Sequence, residues 1–551
     1  MYSSKREVHA LVSLMSQYGI NEVVSCPGSR NAVIINDMYE IGFHLHPVTD
    51  ERSAGFVALG LALATCRPVA VCITSGSALL NVLPAVSEAY YRNIALLVIS
   101  ADRPARFIDT WDGQTIPQMN ALLPYATTIS VEESENDKTY KWNELKINQA
   151  LSNLCGNRPE PVHLNIAIEE PLFDFTTASI VPAQKVSTHR PQCYSPIPAE
   201  VISQIETASL PVLFVGQYER DASAPYQALE GNDALLVLPE LLSSSSDWHR
   251  TTLLEQVVDC SEFHPDLIIH IGGNLVNKHL KNYFRQCRDL RVIRIEEKDF
   301  YPNTLHHLDA VIYADVDSVL KQLSTLTRPN DNVKHWKSRL SLRSLQHAIS
   351  TLPFSDLYVM QQVAERIQSG WVLQLANSTT VRNATLISDF AGLPIYANRG
   401  TNGIEGSLST AVGYALGTDD KVLAMTGDLS FFYDANALYN TELPANLSLI
   451  VFNNGGGQIF RRLPGLHGSQ ALDKFISASH PFSAKGITET YNVKYFTCTN
   501  EDYLDKCLNE FLSCNGSYPA LLEVFTSTEN NEQARKAVEK HIKSNYENNI
   551  Y

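Results

Sequence analysis

The sequence predicts an α/β protein of three doubly wound parallel-sheet domains, on three observations. Short apolar runs alternate with helical patterns along nearly the whole chain. At 551 residues the chain exceeds what one core can bury and corresponds to about three or four domains. Proline-rich or polar stretches cut the alternation into units of similar size.

The first unit, residues 1–180, has strand-like apolar runs at 22–25, 68–73, 94–100 and 162–166. A stretch at 180–198 containing Pro182, Pro191, Pro196 and Pro198 reads as a linker. The second unit, 190–330, has runs at 210–216, 234–238, 267–272 and 290–295. A polar helical stretch at about 330–350 leads into the third unit, 345–551, with runs at 371–375, 394–397, 421–425 and 447–452. The last 25 or so residues are polar and charged and read as a terminal helix with a frayed tail.

A hydrophobic fraction of 44% is that of an ordinary globular protein. A formal charge of −16 argues against a general nucleic-acid or membrane-surface role, because those partners are anionic. Any anionic substrate must then be met by local arginines. The 10 cysteines form no CxxC pair, which fits a reducing cytoplasm better than a zinc site or a disulfide framework. Residues 1–10 lack the apolar core of a signal peptide, and no run reaches the roughly 18 apolar residues a membrane span needs. A cytoplasmic protein is expected.

Ligands of open α/β sheets bind beyond the carboxyl ends of the strands, so the residues just past each run are informative. Gly427 and Asp428 close one run and Asn453-Asn454-Gly455-Gly456 closes the next, which puts hard oxygen ligands at neighbouring strand ends. Such a set suits one divalent cation that grips a diphosphate. The first unit adds Cys26-Pro-Gly-Ser29-Arg30, Asp50-Glu51-Arg52, Thr74-Ser75-Gly-Ser77 and Asp102-Arg103. Singly, Ser29, Asp50 and Ser75 read as helix caps, but four polar strand ends together favour a site. Glu51 precedes a small-residue helix and is either a complement to the helix dipole or, if buried against a heterocycle, a group that shares a proton. The third unit adds Asn377-Ser378, Arg382, and a glycine-rich turn from Asn398-Arg399-Gly400 to Gly406 that can offer backbone N–H groups to an anion. Arg382 and Arg399 can each hold a carboxylate bidentately.

The Gly427-Asp428 and Asn453-Asn454 pair resembles the thiamin-diphosphate motif of the decarboxylase and acetolactate-synthase superfamily. Glu51 stands where that superfamily places the glutamate that bonds the aminopyrimidine. The three units match its order of pyrimidine-binding, central and pyrophosphate-binding domains. Cys-Pro-Gly-Ser-Arg30, Ala-Asp-Arg-Pro104, Asn-Arg-Gly400 with Gly-Ile-Glu-Gly406, and Asn-Asn-Gly-Gly-Gly-Gln-Ile-Phe460 are similar to the branch acting in menaquinone biosynthesis, over essentially the whole chain. Trp111-Asp-Gly-Gln114 and Gly455 depart from that branch's usual residues.

The resemblance implies thiamin diphosphate with Mg²⁺ or Mn²⁺, decarboxylation of 2-oxoglutarate, and addition of the succinyl unit to isochorismate. It assigns the metal to Asp428, Asn454 and Gly456. The cofactor falls to Glu51, Ser75, Asn377, Ser378, Ile404, Gly427, Leu429, Ser430, Ile459 and Phe460. It implies that Ser378, Arg382 and Arg399 hold the succinyl carboxylate, and Ser29, Arg30, Arg103, Gln114 and Lys278 hold isochorismate. Ile459, Phe460 and Leu463 would wall the site against water. A homodimer or dimer of dimers is expected, with sites at the subunit boundary. The alternatives are another thiamin-diphosphate-dependent 2-oxoacid decarboxylase or acetohydroxyacid synthase, and a cofactor-binding regulator without turnover. The paired histidine usual in pyruvate-type decarboxylases is missing from 106–118.

Overall fold

The structure, a computed structural model, describes residues 1–156, 159–188, 196–219, 228–229, 231–340, 352–463, 465–466 and 468–548. Part of the expected linker, including Pro191, and residues 341–350 of the expected polar helix lie outside the described residues.

Three parallel sheets form. The first contains β1 (Glu22–Ser25), β2 (His44–Pro47), β3 (Val69–Ile73), β4 (Leu96–Asp102), β5 (Thr127–Val131) and β6 (Val162–Ala167), in the order β2-β1-β3-β4-β6-β5. The second contains β7 (Pro211–Val215), β8 (Leu236–Pro239), β9 (Leu267–Ile271), β10 (Arg291–Glu296) and β11 (Leu308–Tyr313), in the order β11-β10-β9-β7-β8. The third contains β12 (Trp371–Leu375), β13 (Ile395–Ala397), β14 (Lys421–Gly427), β15 (Leu447–Asn453), β16 (Lys494–Cys498) and β17 (Ala520–Phe525), in the order β13-β12-β14-β15-β17-β16. The first and third sheets therefore share one strand order, reversing beside β1 and β12, and that reversal opens a crevice at the carboxyl ends of both.

The sequence reading found every interior strand but β17, and the edge strands β8 and β13, and passed over β2, β5, β11, β16 and β17. Four of these are sheet edges, where one side faces water and the run is only partly apolar; β2 is His-Leu-His-Pro with its end residues exposed. β17 is an interior strand whose apolar run is broken by Glu523, a fully buried residue that accepts from Asn453 Nδ2 at 2.7 Å and Tyr495 Oη at 2.7 Å.

The cores are shared. One cluster joins Val57, Leu61 and Val82 of the first unit to Val412, Phe431 and Val451 of the third. Another joins Phe214, Trp248 and Phe284 of the second unit to Leu373, Ile450 and Phe511 of the third. The third sheet is thus held by both others. The first contact is tightest where the helix Glu51–Thr65 crosses the helix Ser407–Leu416, with Gly60 against the Thr410 carbonyl and Gly413 against the Val57 carbonyl. Their missing Cβ atoms let the two backbones touch. The terminal helix, Thr528–Asn548, packs on the helix His249–Val257 of the second unit. Among the described residues no helix is long and apolar enough to cross a membrane.

Candidate active site

At the third sheet, β14 and β15 run in register with Gly427 opposite Phe452, so Asp428 and Asn454 emerge side by side. Asp428 starts the helix Asp428–Tyr433 and is buried. Its Oδ2 accepts the backbone N–H of Asn454 at 3.1 Å and of Gly456 at 2.9 Å, and its Oδ1 that of Leu429 at 2.7 Å. Burial pushes its pKa up and these amides oppose the shift. Beside it the Asn454 Oδ1 is buried without a hydrogen-bond partner. Gly456 adopts φ 141°, and a Cβ there would meet the Ser477 carbonyl at 2.8 Å.

This donor set fits a divalent cation: a carboxylate, an orphaned amide oxygen, and a glycine turn whose carbonyl is unencumbered by a side chain. No group of three His, Cys, Asp or Glu lies within reach of one metal among the described residues. One carboxylate leaves a cation most of its charge, which suits a centre shared with a diphosphate.

The surrounding residues are ordered by the chain itself. Asn377 donates to the carbonyls of Asn398 and Gly403, both at 2.6 Å. Its Oδ1 accepts from Arg399 Nη1 at 3.3 Å. Ser378 is held at φ 74°, a strained value for a side chain with a Cβ, at the start of the helix Thr379–Ala384 that carries Arg382. Ser430 Oγ donates to the Ile404 carbonyl at 2.6 Å, so it fixes the rim on which Ile404 stands 38% exposed. Ile459 and Phe460 lie half-buried in the turn Gln458–Arg462, with Phe460 and Leu429 against Gly457; Leu463 is exposed.

Arg382 and Arg399 are both withdrawn from solvent, and burial lowers both pKa values. Arg399 is lowered further by the charge of Arg382 and supported by Glu240. Arg382 Nη1 and Arg399 Nε are buried with no hydrogen-bond partner. Two crowded guanidinium groups with unused donors form a receptor for an anion.

The glycine-rich turn behaves differently from the sequence expectation. The N–H groups of Gly400 and Thr401 donate at 2.8 and 2.7 Å to the buried carboxylate of Glu88, from the helix Leu83–Arg92 of the first unit. In the following helix the Ser409 N–H donates at 2.7 Å to Asp434, whose burial raises its pKa to about 6. At Gly400 and Thr401 the anion this turn binds is therefore the protein's own.

The second unit leans on this site. Asn274 Nδ2 donates to the carbonyls of Arg399 and Gly400, and Leu275 O accepts from Arg399 Nη2 at 2.9 Å. The helix Lys278–Gln286 comes directly after, with Lys278 exposed on its first turn. Lys281, one turn on and half-buried, was not foreseen; burial lowers its pKa, as do the charges of Arg285, Arg399 and Lys278. Its only sequence signal is the three-residue spacing from Lys278, which places both on one helix face.

On the first sheet, Arg30 is buried, donating to Ile168 O at 2.6 Å and to Glu170 Oε1 at 3.2 Å. Arg103 Nη1 lies 3.6 Å from the same Glu170 oxygen and 3.3 Å from Asp112, and Nε donates to Gly113 O at 2.9 Å. Gln114, at φ 56°, packs its backbone on Gly76. Ser75 Oγ is buried and unpartnered, and Ser29 is exposed. Gln118, also unforeseen, fastens this rim by accepting from Gly76 N at 2.7 Å and donating to Asn165 Oδ1 at 2.6 Å.

Glu51 is the first residue of its helix, half-buried, and accepts from Asn81 Nδ2 at 3.0 Å. Its neighbours bind the third unit: Asp50 Oδ2 accepts from Asn436 at 2.7 Å, and Arg52 donates to Tyr433 O at 2.6 Å. No hydrogen bond or ion pair joins Glu51 to Asp428 within the chain. A separate cavity of about 560 Å³, lined by Tyr90, Arg92, Arg294 and Lys298 among others, contains none of the residues predicted from sequence.

Residues 6–122 match the family model "Thiamine pyrophosphate enzyme, N-terminal TPP binding domain", and residues 386–524 match the corresponding C-terminal TPP binding domain. A protein of Bacteroides thetaiotaomicron named 2-succinyl-5-enolpyruvyl-6-hydroxy-3-cyclohexene-1-carboxylate synthase is 36% identical, over 97% of this chain and 98% of its own. Proteins of the same name from Christiangramia forsetii and Desulfotalea psychrophila are 35% and 34% identical, over 97% and 95% of this chain and 98% of each relative. Among solved structures, the benzoylformate decarboxylase of Polynucleobacter necessarius superposes with a TM-score of 0.73 at 17% identity, covering 96% of this chain and 99% of that one. A putative thiamin diphosphate-dependent enzyme from Mycobacterium smegmatis gives 0.69 at 20% identity, covering 95% and 100%. These two likenesses concern the fold.

Proposed function

The chain belongs to the 2-succinyl-5-enolpyruvyl-6-hydroxy-3-cyclohexene-1-carboxylate synthase family, and from that premise we propose that it decarboxylates 2-oxoglutarate and adds the succinyl unit to isochorismate in menaquinone biosynthesis. It does so with thiamin diphosphate and Mg²⁺ or Mn²⁺, as a cytoplasmic homodimer or dimer of dimers. The observation that carries the reading is a hard-oxygen donor set at Asp428 and Asn454 in the same unit as two arginines that each keep one buried donor, Arg382 Nη1 and Arg399 Nε, without a hydrogen-bond partner among the described residues. The matched thiamine pyrophosphate domains support the cofactor.

Bound thiamin diphosphate supplies an electron sink for the charge left by CO₂ loss. Asp428, Asn454 and the Gly456 carbonyl hold the metal, and Gly427, Leu429 and Ser430 shape the turn around it. Asn377 fixes the Arg399 fork, and Arg382, Arg399 and Ser378 bind the succinyl carboxylate. Arg30, Arg103, Ser29, Gln114 and Lys278 bind isochorismate, with Ser75 and Ile404 against the cofactor. Glu51 would hold the pyrimidine ring by a hydrogen bond from its carboxyl group and supply the proton-accepting group there. Ile459, Phe460 and Leu463 keep water from the reacting carbon, which protects the succinyl unit from premature protonation. Two chains are proposed to complete each site, one giving Glu51 and the other the Asp428 centre.

The test is CO₂ release from 2-oxoglutarate with and without isochorismate, with the product weighed by mass spectrometry. Release that rises with isochorismate and yields the adduct is expected; equal release and no adduct would make the protein a plain decarboxylase. Arg382→Ala is expected to raise KM for 2-oxoglutarate about 10- to 100-fold, the loss of a charge-assisted pair. KM for isochorismate should stay within about threefold, well below the effect of removing one such bond. The reverse pattern would reassign Arg382 to the second substrate.

A further inference from the structure

His480 belongs to none of the strand-end motifs, yet it stands at the metal centre. Its backbone N–H donates to Gly455 O at 3.1 Å, and Gly457 N–H donates to Ser477 O at 2.6 Å, so the segment before it is laced to the turn that carries Asn454 and Gly456. Its ring is clamped, stacked on Phe482 with centroids 5.5 Å apart and edge-on to Phe432 at 5.2 Å. Its Nε2 lies 3.4 Å from Asp428 Oδ2, is buried, and makes no hydrogen bond.

The two ring nitrogens have different duties. Phe482 N–H donates to Nδ1 at 3.2 Å, which makes Nδ1 an acceptor and leaves Nε2 as the ring's N–H. An N–H cannot ligate a metal. Asp428 Oδ2, 3.4 Å away and too far for a good N–H···O bond, is already shared by two backbone amides. A buried donor with nothing to bond is costly, and the cost is recovered when an acceptor arrives.

We infer that His480 donates its Nε2–H to a phosphate oxygen of the thiamin diphosphate, as a protein contact to the diphosphate in addition to the metal. The inference rests on the proposed use of that cofactor. It makes the histidine a cofactor-binding residue and gives the 477–480 segment a task beyond packing. The clamped ring is pre-oriented, so little freedom is lost when the bond forms.

The test uses the full chain stripped of cofactor, with no turnover measured. Calorimetry at saturating Mg²⁺ gives the Kd for thiamin diphosphate, and electron paramagnetic resonance gives the Kd for Mn²⁺ at saturating thiamin diphosphate. His480→Phe keeps the aromatic packing and removes the donor; it should weaken thiamin diphosphate about tenfold, the effect of one hydrogen bond to a charged group. Mn²⁺ affinity should stay within about twofold, because a contact to phosphate alone leaves the metal step unchanged. His480→Gln, which restores an N–H, should recover most of the loss. Unchanged thiamin diphosphate affinity in a folded His480→Phe protein would overturn the inference, as would a loss confined to the metal. His480→Met, another non-donor, repeats the comparison if the phenylalanine variant does not fold. A parent protein that binds no thiamin diphosphate would overturn the cofactor reading itself, which separates the two failures.

Discussion

Glu51→Gln is expected to lower turnover about a thousandfold, within the range that removal of a general acid–base group costs. Thiamin diphosphate affinity should remain within about threefold, because the amide keeps the size of the side chain and can still hydrogen-bond. The position favours this outcome. Asp50 caps the helix by accepting from Arg52 N and Ser53 N, so Glu51 is held on the first turn without itself being the cap. Among the described residues its carboxylate hydrogen-bonds Asn81 alone, which leaves it able to meet a second partner. Steady-state rates and calorimetry on one preparation decide the matter. Equal loss of binding and turnover would mean that Glu51 anchors the cofactor, and unchanged turnover would remove it from the chemistry.

Gly413→Ala is expected to destabilise the chain by about 3 kcal/mol, the upper range for forcing atoms into a packed contact. Alanine is otherwise the better helix former by about 1 kcal/mol, so the sign of the change is diagnostic. At Gly413 the added Cβ falls on the Val57 carbonyl oxygen, and backbone cannot swing aside as a side chain can. Gly486, in the helix Lys485–Thr490, has nothing within 4 Å of the same atom and is the control; Gly486→Ala should be neutral or stabilising. Urea midpoints of the three proteins read the difference. A stabilised Gly413→Ala protein would mean that the Glu51–Thr65 and Ser407–Leu416 helices are not in backbone contact. Because this crossing joins the unit carrying Glu51 to the unit carrying Asp428, activity should fall with stability.

The interior strands other than β17 were legible because each is buried on both faces and reads as a continuous apolar run, as β3, β7 and β14 show. Edge strands such as β5 and β11, with mostly half-buried residues, carry no such run. The pair proposed to hold the metal, Asp428 and Asn454, was legible because both residues come directly after two of those runs. Glu88, Gln118, Lys281 and His480 were not, since each acts on a segment distant in sequence and no local pattern distinguishes it from a surface or core residue. At the glycine-rich turn the amides invite an anion locally, and only the fold supplies Glu88 as that anion for Gly400 and Thr401.

By itself the sequence determined the α/β class, the order of the three units and the residues at each strand end, because apolar periodicity and turn chemistry are local properties of the chain. The tertiary structure decided which strand ends share a crevice, which charges are already answered within the protein, and which donors, such as those of Arg382, Arg399 and His480, are left waiting. Those are questions of distance and burial between segments far apart in the chain, and desolvation makes them decisive: an exposed arginine or histidine is satisfied by water, whereas a buried one must find its partner in the fold or in a ligand.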